Sequence, residues 1–190
     1  PENMDEHDLV VIYGGPPSAN DDLDYIKYEI DWISKVLESN KPFLGICLGA
    51  QMLAKNLGGS VQKSHDLTLE IGFFDINPTG DGHKMFQSQK KFFQWHREGF
   101  TVPQSCEILA KGDLFREQAF RYKNALAIQF HPEVNLKMHL RWLYYAGYML
   151  KEKGAQNRRE QLTHRLKHGK KINLWLDSFL DNYLLKDINT

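Results

Sequence analysis

Apolar residues recur along this chain with two periods. "DLVVIYGG" (8–15) is a short β-branched run ending in a glycine pair, the pattern of a buried strand entering a turn. The loop "PPSAND" follows, where Asn20 or Asp21 can cap the next element. Ile26, Ile30, Ile33 and Leu37 then fall at i, i+4, i+7 and i+11, one face of an amphipathic helix. "PFLGIC" (42–47) reads as a second buried strand, and "LGAQMLAKNL" (48–57) as a helix stopped by Gly58-Gly59. From 60 to 130 the pattern turns to short β-rich pieces: "SVQKS", "IGFFDI", "KKFFQWH", "CEILAKG", "QAFRYK" and "ALAIQFH". The tail is helical. Leu136, Leu140, Leu143, Gly147 and Leu150 define one stripe; Ile172, Trp175, Leu176, Phe179, Tyr183 and Leu184 define another.

Strand–helix–strand–helix at the front implies right-handed parallel crossovers. The expected fold class is therefore α/β: an open, mostly parallel sheet with helices on both faces, a three-layer flavodoxin- or Rossmann-like arrangement. A helical tail follows over about 135–186. The 190 residues suffice for one domain, 1–190. Only one strand precedes "PFLGIC", whereas such sheets are usually built around early strands. That leaves open a strand–helix unit upstream of Pro1.

Composition narrows the function classes. The chain is 42% hydrophobic and 25% charged, as in soluble globular proteins. Its formal net charge of zero offers no general attraction for nucleic acid or anionic membrane. No apolar stretch approaches the ~20 residues of a membrane-spanning helix, and the acidic "PENMDEHD" start does not resemble a signal peptide. Two cysteines, Cys47 and Cys106, make no disulfide framework, so a reducing cytoplasm is the expected compartment. Residues 1–40 hold ten acids against two lysines, and residues 151–171 hold eight Lys or Arg against two acids. The basic run is read first as a solvated helical face, and second as a docking patch for an acidic partner.

The chemistry gathers at "Gly45-Ile46-Cys47-Leu48-Gly49". A nucleophile on a tight strand-to-helix turn needs small neighbours, because side chains would collide where the backbone is pinched. The helix starting near Leu48 would favour a thiolate at its N-terminus and aim the Leu48 N–H at an oxyanion beside the sulfur. A core cysteine among packing glycines is the plainer reading, and a base is needed elsewhere. "AIQFHPEV" (127–134) supplies one. If extended backbone persists there, His131 and Glu133 project to the same side, and a carboxylate fixes the imidazole tautomer. "YGGPPSAN" (13–20) adds Gly14 and Gly15 at the end of a parallel strand, where a second oxyanion donor fits.

Together these residues resemble the class I glutamine amidotransferases of the Cys-His-Glu type. The likeness runs through the Gly-Gly-Pro loop, "GICLGAQ", "EIGF" (70–73), "QWH" (94–96), "QFHPE" and "SFLDNYL" (178–184). It is nearest the stand-alone branch similar to the amidotransferase domain of GMP synthase. Where relatives often read Gly-Asp after "WH", this chain has Arg97-Glu98, which alters local substrate contacts. The resemblance implies Cys47, His131 and Glu133 as the catalytic triad and the N–H groups of Gly15 and Leu48 as the oxyanion hole. It also implies Gln51, Trp95 and His96 as substrate-binding positions. For Gln51 the alternative is an ordinary solvent-facing helix residue, and for Trp95 it is core packing.

The leading expectation is hydrolysis of the glutamine side-chain amide through a cysteine thioester, with ammonia passed to a separate synthetase subunit or domain. No phosphate-binding loop is present, so the synthetase is not expected in this chain. Neither a cofactor nor a metal is implied. A hydrolase of other γ-glutamyl amides or peptides, using the same triad, is the alternative. A non-catalytic regulatory protein on the same fold is a third.

Overall fold

In the computed structural model, which describes residues 1 and 3–185, the chain opens as its periodicity predicts. β1 (Val10–Ile12), α1 (Asp24–Glu38), β2 (Phe43–Ile46) and α2 (Leu48–Asn56) alternate. The middle comprises β3 (Ser60–Lys63), β4 (Glu70–Asp75), β5 (Asn77–Pro78), the short α3 (Gly82–Met85), β6 (Lys91–His96) and β7 (Glu98–Thr101). β8 (Glu107–Lys111), β9 (Glu117–Tyr122) and β10 (Ala125–Ile128) follow, then α4 (Leu136–Tyr145) and α5 (Arg158–Phe179). A 3-10 turn (Gly147–Lys151) joins the last two helices, and a π-helical turn (Leu180–Leu184) follows α5. Lys186, where the expected tail ends, lies outside the described residues.

A six-stranded sheet runs in the order β1-β2-β10-β9-β8-β5. β1, β2 and β10 are parallel, while β9, β8 and β5 are antiparallel to their neighbours. The parallel region is thus narrower than the mostly parallel sheet expected. The reason is local: short turns join β8 to β9 and β9 to β10, and strands joined that tightly can pair only antiparallel. β3–β7 and β4–β6 form two-stranded antiparallel ribbons beside the main sheet. Ile12 aligns with Gly45 and Gly45 with Ala127, so β1, β2 and β10 end together at one edge.

Each face of the sheet is covered. On one side, Ile26, Ile33 and Val36 of α1 pack with Met52 and Leu53 of α2, Phe100 and Phe120. On the other, α5 presses Ile172, Trp175 and Phe179 against Phe86, Phe92 and Phe130. Phe92 and Phe130 stack with centroids 4.1 Å apart, and Trp175 donates its indole N–H to the Met85 carbonyl at 2.7 Å. Burying each large side chain contributes about 2–3 kcal/mol, and the aromatic contacts fix the seating of α5.

Two details depart from the sequence reading. Neither Asn20 nor Asp21 caps α1, whose N-cap is Leu23. Asp21 accepts from the Ser18 N–H, and Asn20 donates to the Val61 carbonyl, so both close the loop instead. On α4 the buried residues are His139 and Leu143, while Leu136 and Leu140 are exposed. His139 wins the inward position because it has polar partners there. Gln161 accepts from its Nε2–H at 3.0 Å, and the Arg165 Nε–H donates to its Nδ1 at 3.3 Å.

Burial pushes the His139 imidazole down to about 4, with Gln161 pulling it upward and Arg165 deepening the fall. An unfolded histidine returns to 6.5, so between these values the unfolded chain binds a proton that the folded chain rejects. This stabilisation is complete above pH 6.5 and is lost as pH falls towards 4. Thermal denaturation across that window is expected to show a steeper fall in Tm for wild type than for His139→Gln. At neutral pH the variant is expected to be less stable by about 1–2 kcal/mol.

Candidate active site

The turn from β2 into α2 is a strained elbow. Cys47 sits at φ 53° and ψ −103°, a conformation costing a non-glycine residue about 1–3 kcal/mol. Its N–H donates to the Ile128 carbonyl at 2.8 Å, extending the β2–β10 ladder, and its own carbonyl accepts from the Gln51 N–H at 3.0 Å. The flanking glycines are required by contact. A Cβ on Gly45 would lie 2.7 Å from the Gly49 main chain, and one on Gly49 would run into the Ile12 carbonyl. The sulfur consequently lies at the N-terminus of α2, where unpaired N–H groups favour an anion.

His131 reaches this elbow from the loop after β10. Its main-chain N–H donates to the Phe93 carbonyl at 2.8 Å, and its Nδ1–H donates to Glu133 Oε1 at 2.7 Å. Strand geometry ends at Ile128 and a turn contains Pro132 and Glu133, so a turn brings the carboxylate onto the ring where extended backbone was expected. Burial alone would lower the imidazole; the Glu133 and Cys47 charges outweigh it and raise His131 to about 10. The ring is thus held as an imidazolium beside the Cys47 sulfur. Trp142 of α4 meets it edge-on, with centroids 5.0 Å apart.

Gly14 fits between the two. A Cβ there would lie 2.6 Å from His131 Cε1 and 3.2 Å from Cys47 Cβ. Gly15 abuts the Leu48 side chain, its hypothetical Cβ being 3.4 Å from Leu48 Cδ2. Arg97 borders the same mouth and donates weakly to the Pro16 carbonyl at 3.5 Å.

The remaining expected residues sit deeper. Gln51 is buried, not solvent-facing; its Nε2 donates to the Glu98 carbonyl at 2.9 Å and to Gln129 Oε1 at 3.3 Å. Gln129 in turn donates to Cys47 Sγ at 3.6 Å. Sequence reasoning passed over Gln129; the signal was an amide inside the apolar run "ALAIQF", where a buried polar group must find a partner. The His96 side chain turns away into a buried network. Its Nε2 lies 3.0 Å from Glu70 Oε2 and its Nδ1 3.0 Å from the Glu98 carbonyl, with Gln94 and Gln118 completing the set. Trp95 packs against Phe93 and, edge-on, against Trp142. Burial raises the Cys106 thiol, which suits packing over nucleophilic use. Among the described residues no three His, Cys, Asp or Glu side chains cluster to hold a metal ion.

Residues 1–146 match the family model for glutamine amidotransferase class-I. The chain belongs to that family. A glutamine-hydrolysing GMP synthase subunit of Sulfolobus acidocaldarius is 33% identical over 138 residues, covering 70% of this chain and 71% of that one. Gamma-glutamyl peptidase 4 of Arabidopsis thaliana is 29% identical over 142 residues, covering 70% and 57%. A glutamine amidotransferase from Thermotoga maritima has the same fold, with a TM-score of 0.85 and 31% identity over 95% of this chain and 80% of that one. The mixed sheet with helices on both faces and a helical C-terminal region is the fold of this enzyme family.

For this amidotransferase, the wedge at Gly14 gives a sharp test of the elbow. Gly14→Ala is expected to separate Cys47 from His131 and to lower turnover at least about 100-fold, since misplacements near 1 Å cost that much. Tm is expected to change by only a few degrees, because the added methyl meets side chains at the mouth and leaves the core intact. Steady-state kinetics beside thermal denaturation checks both.

Proposed function

We propose that this chain hydrolyses the side-chain amide of glutamine, as a single amidotransferase domain over residues 1–190. The observation that carries the reading is the strained Cys47 at the α2 N-terminus, beside an imidazole held by Glu133 at 2.7 Å. Cys47 thiolate attacks the carboxamide carbon, and the N–H groups of Gly15 and Leu48 take the developing oxyanion. His131 gives its proton to the leaving nitrogen; the C–N bond breaks, ammonia departs and a γ-glutamyl thioester remains. The same ring then accepts a proton from water as the water attacks the thioester. The C–S bond breaks, glutamate leaves, and the thiolate–imidazolium pair is restored. Glu133 keeps Nδ1 protonated throughout, so Nε2 faces the reaction. Gln51 acts through Gln129 and the Glu98 carbonyl, supporting the sulfur and the wall of the glutamine pocket. Contacts to the amino-acid end come from the main chain around Trp95 and His96, because the His96 side chain is engaged with Glu70.

The relatives named as subunits of a glutamine-hydrolysing GMP synthase support passing ammonia to a separate synthetase chain. The relative named gamma-glutamyl peptidase, together with Arg97 at the mouth, favours a second reading in which γ-glutamyl peptides are the substrates.

A panel of glutamine and γ-glutamyl dipeptides, read out as glutamate and ammonia, separates the two. Glutamine is expected to yield both products in equal amounts. Cys47→Ala is expected to abolish release, and Glu133→Gln to lower kcat by about 10²-fold or more. Rapid dipeptide cleavage without ammonia from glutamine would establish the second reading and overturn the first.

A further inference from the structure

One buried charge has no part in the chemistry so far. Of the eight Lys and Arg residues between 151 and 171, seven are exposed and Arg165, on α5, is buried. Its guanidinium lies over the rings of Phe73 and Phe93, 4.9 Å from each centroid. Nε donates to His139 Nδ1, whose ring donates onward to Gln161, so that neighbour is a neutral acceptor and supplies no counter-charge. Among the described residues, Arg165 Nη1 and Nη2 are buried without a hydrogen-bond partner. The same holds for Glu133 Oε2, whose sister oxygen holds His131. Phe93 connects the two places: its ring carries Arg165, and its carbonyl receives the His131 N–H.

A buried guanidinium without a carboxylate is costly, and so is a buried carboxylate oxygen without a donor. The complementary donors and acceptor therefore belong together. Burial pulls Arg165 down to about 10, and the Glu133 carboxylate is the charge opposing that fall.

We propose that Arg165 is a positioning residue for the triad, its Nη groups holding Glu133 Oε2 through one bound water so that Oε1 stays on His131. The inference rests on the catalytic reading above, which gives Glu133 the task of orienting His131. It makes the site a row of alternating charges: Cys47 thiolate, His131 imidazolium, Glu133 carboxylate and Arg165 guanidinium. The groups facing this row are His139 from α4, His164 from α5, and the rings of Phe73 and Phe93 from β4 and β6. The fourth charge keeps the buried row neutral overall. Without it, the Glu133 field is uncompensated and opposes the thiolate.

The test compares Arg165→Met and Arg165→Lys in a Cys106→Ser background, with two readouts. In ammonia release, Arg165→Met is expected to lower kcat about tenfold or more while KM stays within about twofold, and Arg165→Lys to restore most of the loss. In the pH profile of Cys47 alkylation by iodoacetamide, Arg165→Met is expected to move the midpoint to higher pH and Arg165→Lys to leave it near wild type. Alkylation needs no substrate, so it tests the proposal even if wild type releases no ammonia, an outcome that would sink only the glutaminase reading. A wild-type alkylation profile in folded Arg165→Met overturns the proposal. So does equal impairment of the Met and Lys variants, which would mark lost packing. Should Arg165→Met fail to fold, adding Glu133→Gln is expected to restore folding by removing the partner charge; failure of that rescue also overturns the proposal.

Discussion

The backbone of Cys47, held at φ 53° and ψ −103°, is the constraint on which the rest of the site depends. It is stable only because neighbouring elements determine it from several sides. The Ile128 carbonyl takes the Cys47 N–H, Gly49 lies against the Ile12 carbonyl, and Gly45 lies against the Gly49 main chain. Those contacts require β1, β2 and β10 to run parallel and to end level. With that alignment, Gly14, Cys47 and His131 emerge at one edge of the sheet. The antiparallel strands β9, β8 and β5 carry none of these residues. They extend the platform that the two apolar layers clamp.

Behind the elbow, an unusual amount of polar chemistry is buried. Gln129, Gln51 and the Glu98 carbonyl lead from the sulfur to the His96–Glu70–Gln94–Gln118 network. A second set joins Arg165, His139 and Gln161 across α4 and α5. Low dielectric strengthens each of these interactions and penalises any that is left unmade. The two networks therefore define side-chain positions more narrowly than apolar packing alone would, and they flank the groups that must be placed to within fractions of an ångström.

Legibility in the sequence followed distance along the chain. The Gly-x-Cys-x-Gly elbow was readable because its geometry follows from neighbouring residues; the His131–Glu133 pairing was readable from their closeness in the chain, although a turn and not extended backbone brings it about. The inward stripe of α5 was readable too, since Ile172, Trp175 and Phe179 leave little choice of face. α4 was misread: its leucines suggested one face, and partners for His139 on another helix selected a different one. Asn20 and Asp21 looked like caps, yet tertiary partners and a loop turn claimed their side chains. Within the basic run 151–171, nothing local distinguishes Arg165 from its exposed neighbours.

The sequence by itself determined the fold class, the strand-to-helix elbow at Cys47 and the pairing of His131 with Glu133, since glycine spacing and apolar periodicity act over a few residues. Tertiary structure alone decided which polar residues turn inward and what each buried donor meets. The reason is physical. Periodicity reports that a face is buried, whereas the pairing of a buried charge or amide depends on groups that only folding brings near. Gln129 at the sulfur and Arg165 over the Phe73 and Phe93 rings both belong to that second class.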